Sequence, residues 1–254
     1  MAAAPNLPAP MPTSQSAGLS EAARIANTFI APSKTFADLR RSASWWAPFL
    51  LLSVLSLGLF YVIDQKIGYH KVVQNQIDAS PSATRRIEQL PADQREQAIA
   101  RQANGTKYFL YGYPAIILLW NLLIAAVLFG TFKLAAGAAD LKFKTAYAIV
   151  MYASLPLALK SILAMISVGA GADPDSFNLQ NPVATNPGYF LTQANSPFLY
   201  SVATAVDVFM IWTLILTAIG FSFGKVKFST ALAIVFGWYV LFAVGGGALG
   251  AAFS

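Results

Sequence analysis

Cysteine is absent from this chain, histidine occurs once, and only 11% of the residues are charged. The missing cysteines exclude disulfides, thiol nucleophiles and thiolate metal sites. A lone histidine, His70, has no companions with which to build a metal centre. No nucleophile and base stand at a recognisable catalytic spacing. The glycine-rich stretch 245–250 lacks the Lys and Ser/Thr that follow a phosphate loop. Neither an enzyme nor a cofactor site is expected. A soluble domain carries about 25% charged residues, so the shortage of charge also argues against a soluble fold.

Long apolar runs take the place of charge. Hydrophobic residues make up 56% of the chain. Five stretches, about 46–63, 109–132, 147–169, 199–223 and 228–253, are each long enough to cross a bilayer. Backbone groups inside hydrocarbon must be satisfied within the segment, so each span is expected to be helical. The fold class is all-α: a polytopic bundle of five transmembrane helices, with interfacial helices before it and a helical outer loop. Residues 1–18 contain Pro5, Pro8, Pro10 and Pro12 but no basic start and no apolar core. They read as a disordered tail, and 19–254 as one membrane domain.

Positive charge sets the orientation. Arg24, Lys34, Arg40 and Arg41 precede the first span; Lys133, Lys142 and Lys144 follow the second; Lys225 and Lys227 follow the fourth. The loop after the third span has only Asp173 and Asp175. The N-terminus is therefore expected inside and the C-terminus outside. The loop 64–108 objects, with Lys66, Lys71, Arg85, Arg86, Arg95, Arg101 and Lys107, but long loops obey the rule weakly. The net charge of +6 suits anionic lipid headgroups rather than nucleic acid, for which no basic patch interleaved with aromatics is present.

Local patterns sharpen the picture. Ile25, Ala26, Phe29 and Ile30 recur at helical spacing, and Ser33 can cap a second short helix ending in Arg40 and Arg41. Trp45 and Trp46 mark the headgroup level before the first span. In the loop 64–108, Tyr69, Val72, Val73, Gln76 and Ile77 share a face, Ser80-Pro81 starts a helix and Leu90-Pro91 ends it. That helical loop either binds a partner or caps the bundle. Pro114 and Pro156 are expected to kink the second and third spans. Gly246 and Gly250 form a small-residue face, used either in a homo-oligomer or within the bundle.

A repeat is visible. Residues 142–150 read KFKTAYAIV and residues 227–235 read KFSTALAIV. Trp120 and Gly130 in the second span loosely match Trp212 and Gly220 in the fourth. Spans two–three and four–five thus read as two parallel copies of one hairpin.

Lys160 and Asp207 are the ionisable side chains clearly inside spans. Each lies roughly 12–14 Å below the outer surface at 1.5 Å per residue. Spans three and four are antiparallel neighbours, so an intramembrane ion pair is expected. Such a pair serves either an ion- or proton-coupled path or the register of two helices. A single pair is too little for a relay.

Three stretches carry a family resemblance. They are Ile30-Ala31-Pro32 with Thr35-Phe36 and Trp45-Trp46-Ala47-Pro48; Phe143–Ala153 with Pro156; and Asp207-Val208-Phe209-Met210-Ile211-Trp212 with Leu214, Leu216 and Gly220. The outer stretch Ile87–Pro91 with Gln94–Ala98 joins them. Together they resemble bacterial members of the Ypt-interacting-protein (Yip) family of five-span membrane proteins. The resemblance implies a five-helix domain in a bacterial inner membrane. In eukaryotic relatives it implies trafficking with prenylated small GTPases, a role that does not transfer to a bacterial chain. Asp207 matches the family pattern, and the resemblance does not place Lys160. The expected function is a non-enzymatic scaffold or adaptor that binds membrane lipids or other membrane proteins. The alternative is a small transporter or channel subunit that uses Lys160 and Asp207.

Overall fold

The computed structural model describes residues 18–222 and 226–252, with 249–252 as backbone only. All of the expected tail except Gly18 lies outside the described residues. Among the described residues every regular element is helical.

Two short helices come first, α1 (Glu21–Ile30) and α2 (Pro32–Arg41). The Ser20 hydroxyl caps α1 by accepting from the Ala23 N–H. Helix α2 starts one residue before the expected cap: Pro32 occupies its first turn, so Ser33 is already helical. The hairpin buries only half of the expected apolar stripe: Ile25 and Phe29 pack against the core. Ala26 and Ile30 are exposed, while Arg24 and Thr28 are buried.

Four helical stretches are long and apolar enough to cross a membrane. They are α3 (Trp46–Lys66), α7 (Tyr113–Ala135), the pair α8 (Phe143–Ala153) and α9 (Pro156–Gly169) taken together, and α12 (Phe228–Ala252) over its first 21 residues. The protein is an all-α polytopic membrane protein. Between α3 and α7 lie α4 (Tyr69–Asp78), α5 (Pro81–Glu88) and α6 (Ala92–Tyr111). Pro156 opens α9, so the third span is broken there. Pro114 stands in the first turn of α7, where it removes no backbone bond of that helix. The expected second span is interrupted just before it, between the end of α6 at Tyr111 and the start of α7 at Tyr113.

The fourth expected span is not continuous. It divides into α10 (Pro197–Ala205) and α11 (Val208–Phe221), bent by 52° at Val206-Asp207. The apolar run hides this break, which comes from the Asp207 side chain and the loop before it.

Two cores hold the molecule. One joins α2, α3, α7, α8, α11 and α12 around Phe36, Phe132, Met151, Tyr152, Leu155 and Phe221. The Phe132 and Phe221 rings stack at 4.6 Å. The other joins α3, α4, α6 and α9 with Phe177 and Val183 of the loop before α10. Tyr69, Val72, Val73 and Ile77 supply its α4 face, as their spacing predicts. Asn75 Nδ2 ties α4 to that loop, donating to the carbonyls of Pro174 at 2.8 Å and Phe177 at 3.0 Å. Loops 64–108 and 170–198 therefore lie at the same end of the bundle.

Candidate functional site

Asp207 begins α11. Its Oδ1 accepts the backbone N–H groups of Phe209 (3.0 Å) and Met210 (3.2 Å), a cap for donors that have no partner within the helix. Its Oδ2 accepts from Lys160 Nζ on α9 at 2.8 Å. The Thr185 hydroxyl also donates to Oδ2, and Asn186 Nδ2 approaches at 3.4 Å. The structure thus brings Lys160 and Asp207 together and adds Thr185 and Asn186 from the loop before α10.

Thr185 and Asn186 reach this depth because residues 183–191 fold back against the broken span. The Thr185 carbonyl accepts from the Val208 N–H at 3.1 Å. The Tyr239 hydroxyl of α12 donates to the Ala205 carbonyl at 2.6 Å. Backbone groups freed by the break are thereby satisfied inside the protein, as an apolar medium demands. Asn186 meets Asn181 amide to amide at 2.7 and 3.1 Å and caps a 3-10 turn at Pro187–Phe190. Gly188 makes this possible: a Cβ there would lie 2.7 Å from the Thr204 backbone nitrogen. Phe190 stays exposed beside it.

Chemically, Asp207 is saturated. It accepts five hydrogen bonds, all from the chain itself. Its carboxylate is buried, and Lys160 is the cation beside it. An isolated charge at this depth would be very unfavourable, whereas a paired and fully bonded one is tolerated.

A second polar cluster was not legible in the sequence. Arg24 is 3% exposed. Its guanidinium contacts Asp38 at 2.7 Å and Glu21 at 3.1 Å. The hydroxyls of Thr28 and Thr35 both donate to its carbonyl. The Tyr152 hydroxyl of α8 donates to Glu21, so the cluster pins the α1–α2 hairpin to the bundle. Burial pushes the Asp38 carboxyl upward, and the hydrogen bond and charge of Arg24 outweigh this and hold it below its ordinary value. The only sequence signal was Glu21 three residues before Arg24 on one helix face.

The remaining sites fall as follows. Trp45 turns inward against Tyr147, with ring centroids 5.3 Å apart, while Trp46 is exposed at the start of α3. Gly246 has nothing near it. The close approach comes one residue later, where a Cβ on Gly247 would lie 3.2 Å from Ser201 Oγ. The surroundings of Gly250 lie outside the described residues. Asn121 Oδ1 accepts from Ser154 Oγ at 3.0 Å, an interhelical bond at the α8–α9 break. His70 stands on the surface 2.9 Å from Glu96, and no group of metal-binding side chains occurs among the described residues.

Among curated proteins and among solved structures, none matches the chain. The Yip1 domain matches residues 26–252, from the first helix to the end of the last. On that match the chain belongs to the Yip1 domain family of membrane proteins.

Proposed function

We propose that this protein is a non-enzymatic scaffold or adaptor of a bacterial inner membrane, crossing it five times with the N-terminus inside and the C-terminus outside, and binding other membrane proteins or lipids. The observation that carries this reading is the closed state of the Lys160–Asp207 joint. Charges at membrane depth usually mark a path for ions or substrate. Here the carboxylate is consumed within the fold and the ammonium is paired with it, which leaves the surfaces as what the molecule offers. The outer end offers most. Helices α5 and α6 present polar faces there, and a cavity of about 460 Å³ lined by Ser80, Arg86, Gln180, Tyr200 and Thr204 opens between α5 and α10. The orientation rests on the Lys/Arg distribution. Two cations of the dissenting loop are paired, Lys71 with Asp175 of the loop before α10 and Lys107 with Asp64.

The broken fourth span favours the transporter alternative, because half-helix ends at membrane depth build substrate sites in transporters. In this chain the free end of α11 is already occupied by the carboxylate of Asp207.

The test is mass spectrometry of the protein gently extracted from its native membrane. Wild-type protein is expected to retain partner proteins in fixed ratio. A chain in which α5, the part of 70–103 that buries no residue, is replaced by a short linker is expected to lose them while keeping its membrane domain. A protein that retains none, together with a flux abolished by Asp207→Asn in reconstituted vesicles, would replace the scaffold reading with transport.

A further inference from the structure

At the end of the bundle opposite the α4–α6 cap, the linker between α2 and α3 meets the loop that enters α8. Between them lies an open-sided cavity of about 580 Å³. Its lining includes Arg40, Arg41, Lys142 and Lys144 and contains no carboxylate, while Arg41 also pairs with Asp38 of α2 at 2.8 Å just outside the lining. Ser44 Oγ, also in the lining, is buried without a hydrogen-bond partner. Trp46 is exposed at the rim, and exposed tryptophans at the ends of membrane spans favour the headgroup layer.

The local sequence runs against helix physics here. Lys142 is the N-cap of α8 and Lys144 lies in its first turn, where the positive end of the helix dipole repels cations. No side chain caps α8, and none caps α3, whose start adjoins the same cavity. Two helix N-termini and four cationic side chains therefore converge on one water-accessible space. Burial also lowers the Arg40 guanidinium to about 10. Such a local conflict is resolved when an anion is bound.

We propose that this cavity binds the phosphate of an anionic phospholipid headgroup, held by Arg40, Arg41, Lys142 and Lys144. Basic pockets between membrane helices at headgroup level recognise such lipids. The proposal deepens the lipid-binding half of the function proposed above. It does not depend on the outer cap, where partner loss would be read, so either can fail alone.

The experiment uses the full chain in nanodiscs that mix phosphatidylglycerol with phosphatidylcholine, and native mass spectrometry counts the lipids retained. Wild-type protein is expected to retain phosphatidylglycerol selectively. Lys142→Gln with Lys144→Gln should cut that retention by at least about tenfold, a few-fold for each charge removed. Lys142→Arg with Lys144→Arg should restore it, which shows that a folded protein is being measured. Lys34→Gln with Lys227→Gln removes cations outside the cavity and should change little. Equal losses from the two Gln pairs, or no loss from the cavity pair, would overturn the proposal. Displacement of the lipid by millimolar inorganic phosphate would assign the cavity to the free anion and overturn the lipid assignment.

Discussion

The motif shared by 142–150 and 227–235 opens α8 and α12 alike, yet the two helices live in different surroundings. In the strongest apolar window of α8–α9, 56% of residues are buried; in that of α12, 11% are. Ala146 and Val150 are buried, and so are their counterparts Ala231 and Val235. That face packs in both copies. Ala148 is buried while its counterpart Ala233 is exposed. The difference is a second layer: α1, α2 and α3 pack on α8, whereas α12 rests mainly on α10 and α11. In the same register Pro156 falls opposite Leu241, so α12 runs unbroken, and Lys160 falls opposite Gly245. One sequence pattern thus sets where two helices start and which face packs first, while later partners decide the rest.

The largest effect is expected where the copies are joined by charges that neither repeats. Asp207→Ala strands the Lys160 ammonium and uncaps α11, and should destabilise the bundle by about 3–5 kcal/mol. Adding Lys160→Ala should recover part of that loss. A double-mutant cycle on unfolding in detergent reads the coupling, and purely additive losses would sink the pairing. Next come the matched glycines. A Cβ on Gly220 would lie 2.3 Å from Ile149 Cγ2 and 3.1 Å from the Phe36 ring, whereas one on Gly130 meets nothing. Gly220→Ala should cost about 1–3 kcal/mol by overpacking. Gly130→Ala should be neutral or slightly stabilising, since alanine favours helix. Equal effects would erase the difference between the copies.

The smallest effect appears only in acid and touches the layer that covers the first copy. Because Asp38 has its carboxyl depressed in the folded state, its contribution is present above the ordinary aspartate value and is lost as pH falls through the lower folded value. The hydrogen-exchange protection factors of residues 21–41, with the intrinsic pH dependence of exchange divided out, should stay constant from neutral pH down to about pH 4 and fall below it. Arg24→Met should abolish that step. A step near pH 6 would point to a different group.

Span positions were legible because bilayer thickness is written directly into the length of an apolar run. The starts of α8 and α12 were legible from the repeat, and Lys160 and Asp207 from their isolation among apolar neighbours. The break at Val206-Asp207 was not, because Val206 and Val208 keep the run apolar. Its causes, a carboxylate that caps one way and pairs the other, and Thr185 and Asn186 arriving from a distant turn, are tertiary. The burial of Arg24 was hidden for the opposite reason: on a short amphipathic helix a charge reads as solvated, and only the fold supplies Asp38, Glu21 and Tyr152 around it. Scaffold or adaptor activity has no residue signature of this kind, since it belongs to surfaces that the sequence does not set apart.

The Lys160–Asp207 joint also constrains the order in which the molecule comes into being. The two residues lie 47 positions apart. When the third span emerges, its lysine has no counter-ion and must snorkel toward headgroups. Only when residue 207 has been made and α11 has entered beside α9 can the ammonium swing inward, and only then does the loop carrying Thr185 and Asn186 have a carboxylate to close upon. The seam between these spans therefore cannot set before residue 207 has been made, and Tyr239 of α12 closes on it later still. A chain stopped before that point would be threaded through the membrane with its third span still unlocked.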